Sequence, residues 1–381
     1  MKKQDQTHLI KILVIAPDSV SDQAMSYPFF HYLRELYPSA QITVICNPVT
    51  EHLQYRHLVD QVVVWSPLKR GSALQMLREW DQIRVHLKDQ GSWELGFDLS
   101  FCFSSVWTLY RAGVMRRRGY GGRGRGLLLN ERRSLDLKTV LHRAEEFVAL
   151  LPGYEKKLPP VLSFWGHEGK VSSLDSAEEE RSWRGEGVVD RLEVESAWPE
   201  VIPLDPLTHP YGVFAPDAQA PSRQWPEVYF ESLAVSFLEE TSFSLLILSA
   251  RTESAWVIRL RERFKHRVVF VEVQRSQSFL AACWKIFRHS QFSLCNDSEF
   301  AHLSTLCGAR TFVVWGAGRI AKTQPLGSGQ VQIHVHPVEC WPCDQKFCDQ
   351  PDALQFQCLT SLRPEVIFDA IMKEIEFRAK S

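Results

Sequence analysis

Short, nearly unbroken apolar runs recur along this chain at helix-length intervals, and the rhythm is heard twice, with a polar stretch between. In the first 150 residues the runs are Lys11-Ile-Leu-Val-Ile-Ala16, Gln41-Ile-Thr-Val-Ile-Cys46, Gln61-Val-Val-Val-Trp65 and Asp98-Leu-Ser-Phe-Cys-Phe103. Apolar side chains at successive positions point to both faces of a strand, as a parallel strand buried on both sides requires. Parallel strands need long crossovers, and the stretch from about Gln23 to Leu36 has the length and pattern of a crossover helix. From Tyr211 the rhythm resumes. Strands are expected at 211–214, 243–248, 291–295 and 310–315, and helices at 226–240, 277–288, 298–307 and from Pro364 onward. Gly308 suits the C-terminal stop of the third of these helices. The expected fold class is α/β, with two Rossmann-like parallel-sheet domains and a ligand held between them.

The interruption runs from Trp165 to Pro210 and is rich in Glu, Ser, Gly and Pro, with the acidic run at Glu178-Glu-Glu180. It reads as a linker carrying an extended insertion, whose Trp165, Trp183 and Trp198 pack locally or anchor at a surface. The expected organisation is residues 1–165, a linker at 166–205, a second domain at 206–360 and a last helix at 361–381. Over 381 residues, 44 Lys and Arg stand against 45 Asp and Glu, so no global field recruits nucleic acid or membrane. The apolar run at Ile10–Ala16 is too short to span a bilayer, and no cleavage site follows it. Nine cysteines without an export signal read as cytosolic thiols. These features predict a soluble cytoplasmic protein.

Four local patterns carry chemistry. Cys295-Asn-Asp-Ser298 ends a strand and opens a helix, where unpaired N–H groups and the helix dipole favour anions; the same residues also suit an N-cap. Asp22, in the loop after the first strand, faces the carboxyl edge of the sheet either as a general base or as a cap for the next helix. Residues 116–133 hold seven arginines and one acid among glycines. That patch suits phosphate groups through forked hydrogen bonds, or is a solvated basic face. An RNA-binding Arg-Gly role is disfavoured, since the single cluster runs straight into Leu127-Leu-Leu129. Lastly, Cys340, Cys343, Cys348 and Cys358 form a C-x2-C-x4-C-x9-C array, a candidate structural zinc site or a set of buried thiols.

Several segments, in order, resemble the bacterial lipopolysaccharide heptosyltransferases of glycosyltransferase family 9, nearest the heptosyltransferase II branch. They include ILVIAPDSVSDQAMSYPF, RHLVDQVVVW, the arginine-rich segment, HRAEEFVALL, YGVFAPDAQAPSRQWPEVYFESLA, NDSEFAHLSTLCGARTFVVWG and the cysteine array. The resemblance implies a GT-B fold, two domains facing a cleft, with the C-terminal helix crossing back to the first. It implies metal-independent, inverting transfer of a heptose from ADP-heptose to the inner core of lipopolysaccharide. No cofactor is required for catalysis. Asp22 matches the family's candidate base, Arg223 the basic residue that contacts donor phosphate, and Asp297-Ser298-Glu299-Phe300-Ala301-His302 the donor motif. Asp297, Ser298 and His302 are then donor-binding, while Arg123 and Arg125 face the anionic acceptor. The implied partners are the nucleotide sugar, the glycolipid core and the cytoplasmic face of the inner membrane, and no nucleic acid.

The chain departs from the family pattern on the donor side. Glu299 replaces the motif glycine and puts a carboxylate in the first helical turn, where it competes for the anion site. Leu248-Ser249-Ala250 replaces a Gly-Gly turn, and Val273-Gln274-Arg275-Ser276 replaces a glycine-lysine-threonine-type loop. Two other readings therefore stay open: a GT-B protein that binds an anionic glycolipid or a partner enzyme without transfer, and a transferase using a different nucleotide sugar.

Overall fold

The structure, a computed structural model, describes residues 9–65, 73–122, 124–134, 140–159, 170–173, 210–251, 254–273, 277–327 and 330–380. Most of the expected linker, with its acidic run and Trp165, Trp183 and Trp198, lies outside these residues, as does the Gln274-Arg275-Ser276 part of the replaced loop. The chain divides into two compact units, Met1–Val161 and Leu162–Ser381.

The first unit is built on six parallel strands: β1 (Lys11–Ile15), β2 (Gln41–Cys46), β3 (Gln61–Val64), β4 (Leu95–Asp98), β5 (Arg116–Tyr120) and β6 (Glu131–Arg133). Their order is β3-β2-β1-β4-β5-β6. Between them run α1 (Val20–Met25), α2 (Tyr27–Leu36), α3 (Ala73–Asp89) and α4 (Phe103–Arg111), with α5 (Arg143–Val148) after the last strand. Ile12, Leu13 and Val14 of β1 are wholly buried, the expected result of a run apolar on both faces. Each such side chain taken from water contributes about 1.5–3 kcal/mol.

The second unit carries seven parallel strands: β7 (Lys170–Ser173), β8 (Tyr211–Ala215), β9 (Ser244–Ser249), β10 (Val268–Glu272), β11 (Phe292–Asn296), β12 (Thr311–Trp315) and β13 (Val331–Val335). They are ordered β10-β9-β8-β11-β12-β13-β7. The helices are α6 (Glu227–Glu240), α7 (Ala255–Phe264), α8 (Gln277–His289), α9 (Glu299–Leu306), α10 (Ile320–Thr323), α11 (Gln357–Thr360) and α12 (Pro364–Lys380). Ile367 and Ile371 of α12 join Phe230, Leu233 and Phe237 of α6 in this unit's core.

Three local expectations are corrected. The helix expected at 23–36 is two helices, because Pro28 lacks the N–H that a continuous helix needs there, and Ser26 closes α1 with an Oγ–H donated to Gln23 O at 2.7 Å. The run 98–103 is a strand only up to Asp98, whose carboxylate binds the following N–H groups and turns the chain. The arginine-rich segment supplies two strands of the first sheet, the inner β5 and the edge strand β6. Four residues of the expected linker, Lys170–Ser173, pair with β13 at the edge of the second sheet.

Both sheets share one topological property. Strand order runs outward from β1 to β3 and then reverses to β4, and it runs outward from β8 to β10 and then reverses to β11. At such a switch point the loops leaving the two neighbouring strands diverge, and ligands of open α/β sheets bind in the crevice they leave.

Candidate functional site

At the β8/β11 switch point the loop after β8 reaches Pro221–Arg223, while β11 runs into Asp297 and Ser298. Asn296 is wholly buried and ties the two together: its Nδ2 donates to Pro216 O at 2.6 Å, and its Oδ1 accepts from Trp225 N at 3.1 Å. Arg223 Nη1 thereby sits 3.3 Å from Asp297 Oδ2, and its Nη2 lies 3.3 Å from Asp344 Oδ1. About a third of the Arg223 side chain, 32%, stays open to solvent.

The Asp297 carboxyl is pushed up to about 6, first by burial, against the lowering effect of Arg223 and with a further rise from Asp344. Its Oδ2 has no hydrogen-bond partner. Ser298 is the N-cap of α9, but its side chain makes no capping bond and its buried Oγ has no partner either. A buried polar atom left without a bond costs about 1–3 kcal/mol, so two adjacent ones mark a place where a polar ligand completes the set. The first N–H groups of α9 and its positive dipole end open at the same point. His302 lies one turn further along α9, buried. The sequence-predicted residues Arg223, Asp297 and Ser298 are thus brought together. Glu299, half-buried in the first turn of α9, bears electrostatically on the buried Cys283 thiol of α8.

Two close approaches shape the wall of this site. A Cβ added at Gly318 would meet Asp297 Oδ2 at 2.4 Å, and one at Gly316 would meet Ser222 O at 2.2 Å. The cysteine-bearing loop backs the same wall: Asp344 N donates to Ala317 O at 2.8 Å, Trp341 Nε1 donates to Gly316 O at 2.8 Å, and Ser222 Oγ donates to Gln345 O. These bonds deliver Asp344 to Arg223. In place of the Gly-Gly turn, Ser249 Oγ and Ala250 N donate to Asp217 at 3.0 and 2.6 Å, so an aspartate after β8 closes the turn after β9. Asp217 is a contributor that sequence reasoning missed, its only signal a polar residue just beyond a strand; Asn296 lies inside the Cys295–Ser298 pattern, but its part in tying the two loops together had no local sign.

The expected zinc site finds no support. Among the described residues no group of three or more His, Cys, Asp or Glu is arranged to hold a metal ion. Cys340 is exposed, and the Cys348 Sγ instead accepts from Phe356 N at 3.3 Å. The Cys358 thiol is pushed up to about 11 by burial and then by Cys343, Cys340 and Cys348.

At the β1/β4 switch point Asp22 stands in the first turn of α1, its N–H donated to the N-cap Ser19 Oγ at 3.0 Å. The cap is thus Ser19, and the Asp22 carboxylate, a third exposed, is left for Arg143 Nε at 3.3 Å. Beside it Asp98 is wholly buried, its carboxyl pushed up to about 6 by burial despite bonds from Ser105, Phe101 and Ser100 and the charge of Arg125.

The arginines nearby are mostly neutralised from within. Arg116 and Arg118, two apart on β5 and so on one face, both bind Glu131. Arg118 and Arg133 bind Glu155. Arg125, expected to face the acceptor, is turned inward and is 8% exposed, with Nη1 3.6 Å from Asp98 Oδ2 and bonds to the carbonyls of Gly121 and Gly122. Arg123 lies outside the described residues. Among the described arginines of the segment, Arg132 is the exposed one without an acidic partner.

No described helix is long and apolar enough to cross a membrane. Residues 84–353 match Glycosyltransferase family 9 (heptosyltransferase). The chain is 24% identical over 329 residues to lipopolysaccharide heptosyltransferase 2 of Escherichia coli K12, covering 83% of this chain and 86% of that relative. The solved structure of E. coli ADP-heptose lps heptosyltransferase II superposes with a TM-score of 0.70 at 16% identity, over 98% of this chain and all of that one. E. coli heptosyltransferase WaaC with ADP superposes with a TM-score of 0.65 at 14% identity, over 96% and 100%. These likenesses fix the fold as GT-B, and the match over residues 84–353 makes the chain a member of glycosyltransferase family 9, the heptosyltransferases.

Proposed function

We propose that this chain transfers a heptose from ADP-heptose to the inner core of lipopolysaccharide with inversion at the anomeric carbon. One observation carries the reading: at the β8/β11 switch point a buried carboxylate and a buried hydroxyl, Asp297 and Ser298, lack hydrogen-bond partners beside a partly open Arg223 and the start of α9. A diphosphate with polar sugar hydroxyls supplies what that set lacks. In the reaction an acceptor hydroxyl oxygen forms a bond to the anomeric carbon and gives its proton to the Asp22 carboxylate. The bond from that carbon to the diphosphate oxygen breaks, and ADP leaves with the electron pair. Arg223 and the α9 dipole stabilise the charge that develops on the leaving group. The acceptor is an anionic glycolipid core, and the work is done at the inner face of the membrane that carries it. No cofactor is assigned to any step.

Charge favours one alternative, a binder without transfer. Arg223 already serves two carboxylates, Asp297 and Asp344, and Glu299 adds a third in the first turn of α9. Thermal-shift measurement with ADP-heptose, ADP and UDP separates the two. A shift specific to ADP and ADP-heptose, of the size that about 2.7 kcal/mol of stabilisation gives at a hundred times the dissociation constant, supports transfer. The absence of a shift with any nucleotide would overturn it in favour of glycolipid binding alone.

A further inference from the structure

Beside Asp22, three side chains, Asp98, Phe101 and Arg143, lie in series and have no part in the proposed reaction. Asp98, buried at the end of β4, accepts from Ser100 N and Phe101 N at 3.1 Å each and from Ser105 Oγ at 2.6 Å. Those bonds hold the backbone of Phe101 at φ +55°, a conformation an aromatic residue rarely takes unless its surroundings impose it. So placed, the Phe101 ring stacks on Phe147 at 5.6 Å and 9°, and carries the guanidinium of Arg143 at 5.2 Å and of Arg125 at 5.9 Å. Arg143 is the first residue of α5, whose start is fixed by a reciprocal pair: the His142 ring accepts from Ala144 N at 3.1 Å, and Glu145 Oε2 accepts from His142 N at 2.8 Å. From this seat Arg143 reaches Asp22 Oδ1 through Nε and Glu146 Oε2 through Nη1.

We infer that Arg143, seated on the Phe101 ring and held there from Asp98, is the positioning residue of Asp22. The inference rests on the reading of Asp22 as the base. A carboxylate on a six-residue helix, a third exposed, has several rotamers to choose from. A base must present one oxygen along one line. Arg143 Nε pairs with Oδ1 at 3.3 Å by charge rather than by a hydrogen bond, and Oδ2 is left for the acceptor proton. Because the guanidinium is itself pinned by a ring face and a second acid, it cannot follow the carboxylate as it turns, so the carboxylate is fixed instead.

The elements packed on α1 are α5, α2 and the turn Pro48–Leu53. They carry Arg143, Glu145 and Glu146; Tyr27, His31, Tyr32, Arg34 and Glu35; and Glu51 and His52. Of these Arg143 is the group ion-paired with Asp22 among the described residues. Its removal frees the carboxylate to turn, which slows the chemical step without touching donor binding.

The test uses the full chain with ADP-heptose and a truncated lipopolysaccharide core as substrates, comparing Asp22→Asn, Arg143→Ala, Arg143→Lys and Phe101→Leu. Arg143→Ala should lower kcat about 100-fold with the KM for ADP-heptose nearly unchanged, as a mispositioned reacting group does. Methylguanidinium should restore part of its rate. Phe101→Leu, which keeps the charge and removes the ring, should lower kcat with the same KM, and methylguanidinium should not restore it. Should Arg143→Ala fail to fold, Arg143→Lys carries the test: a lowered kcat with an unchanged KM supports the inference, and a wild-type kcat overturns it. Wild-type kcat in the Arg143 variants, with Asp22→Asn inactive, overturns the positioning role alone. An active Asp22→Asn overturns the base reading and the inference with it.

Discussion

At the β1/β4 edge a buried aspartate, Asp98, has Arg125 at 3.6 Å; at the β8/β11 edge a buried aspartate, Asp297, has Arg223 at 3.3 Å. Burial pushes both carboxyls up to about 6. The surroundings then diverge. Asp98 Oδ1 accepts three hydrogen bonds, and Arg125 is closed in beside it. Each aspartate keeps its Oδ2 for the arginine alone, without a hydrogen bond. Asp297, however, shares its arginine with Asp344, lies beside the Ser298 Oγ that also lacks a partner, and faces an Arg223 that is 32% exposed against 10% for Arg125. One fold position thus holds a fastener in the first unit and an open receptor in the second. The lesson is that burial, a paired arginine and one unfilled carboxylate oxygen do not by themselves mark a binding site; an arginine left open to solvent beside a second unfilled polar group does.

The sharpest break would come from Asp98→Asn against Asp297→Asn. The first leaves Arg125 buried without its counter-ion and should cost about 3 kcal/mol in urea unfolding followed by a probe in the first unit. The second leaves Arg223 with Asp344 and should cost about 1 kcal/mol or less, yet weaken ADP-heptose binding at least about tenfold. Equal stability losses would erase the distinction between fastener and receptor.

A smaller effect is expected at the receptor wall. In Gly318→Ala the new methyl would lie 2.4 Å from Asp297 Oδ2, so either the carboxylate or the loop must shift. ADP-heptose affinity should fall several-fold by calorimetry while the thermal midpoint moves little. A large fall in the midpoint with unchanged affinity would instead make Gly318 purely structural.

The smallest effect is in pH dependence. Both carboxyls sit near 6 in the folded chain against an ordinary value of 3.8, so between about pH 4 and 6 the folded state binds more protons than the unfolded one. Their contribution to stability is therefore greatest below that window and is lost as pH rises through 6. Each Asn variant should flatten that fall, by up to about 1.4 kcal/mol per pH unit at its steepest. A wild-type slope unchanged in Asp297→Asn would mean that Asp297 is ionised throughout.

Much of the fold could be read ahead of the structure. Strands β1, β2, β8, β11 and β12 fall within a residue or two of their apolar runs, and α6, α8 and α9 within one or two residues of their stripes. The arginine-rich strands β5 and β6 could not, because their charges are matched by Glu131 and Glu155, which only the sheet brings near. The site was half legible. Arg223, Asp297 and Ser298 stand in recognisable local patterns, whereas Arg143 and Phe101 carry no local sign of their part, since ion pairing and a ring face are properties of neighbours far along the chain.

The sequence by itself determined two parallel-sheet units and the side chains offered at their carboxyl edges, because strand periodicity and loop chemistry are local. Tertiary structure alone decided which of those side chains are fastened and which are open. A carboxylate's capacity to bind is settled by what fills its lone pairs, and Ser105, Arg125, Gly318 and Asp344 come to their aspartates only through the folded chain.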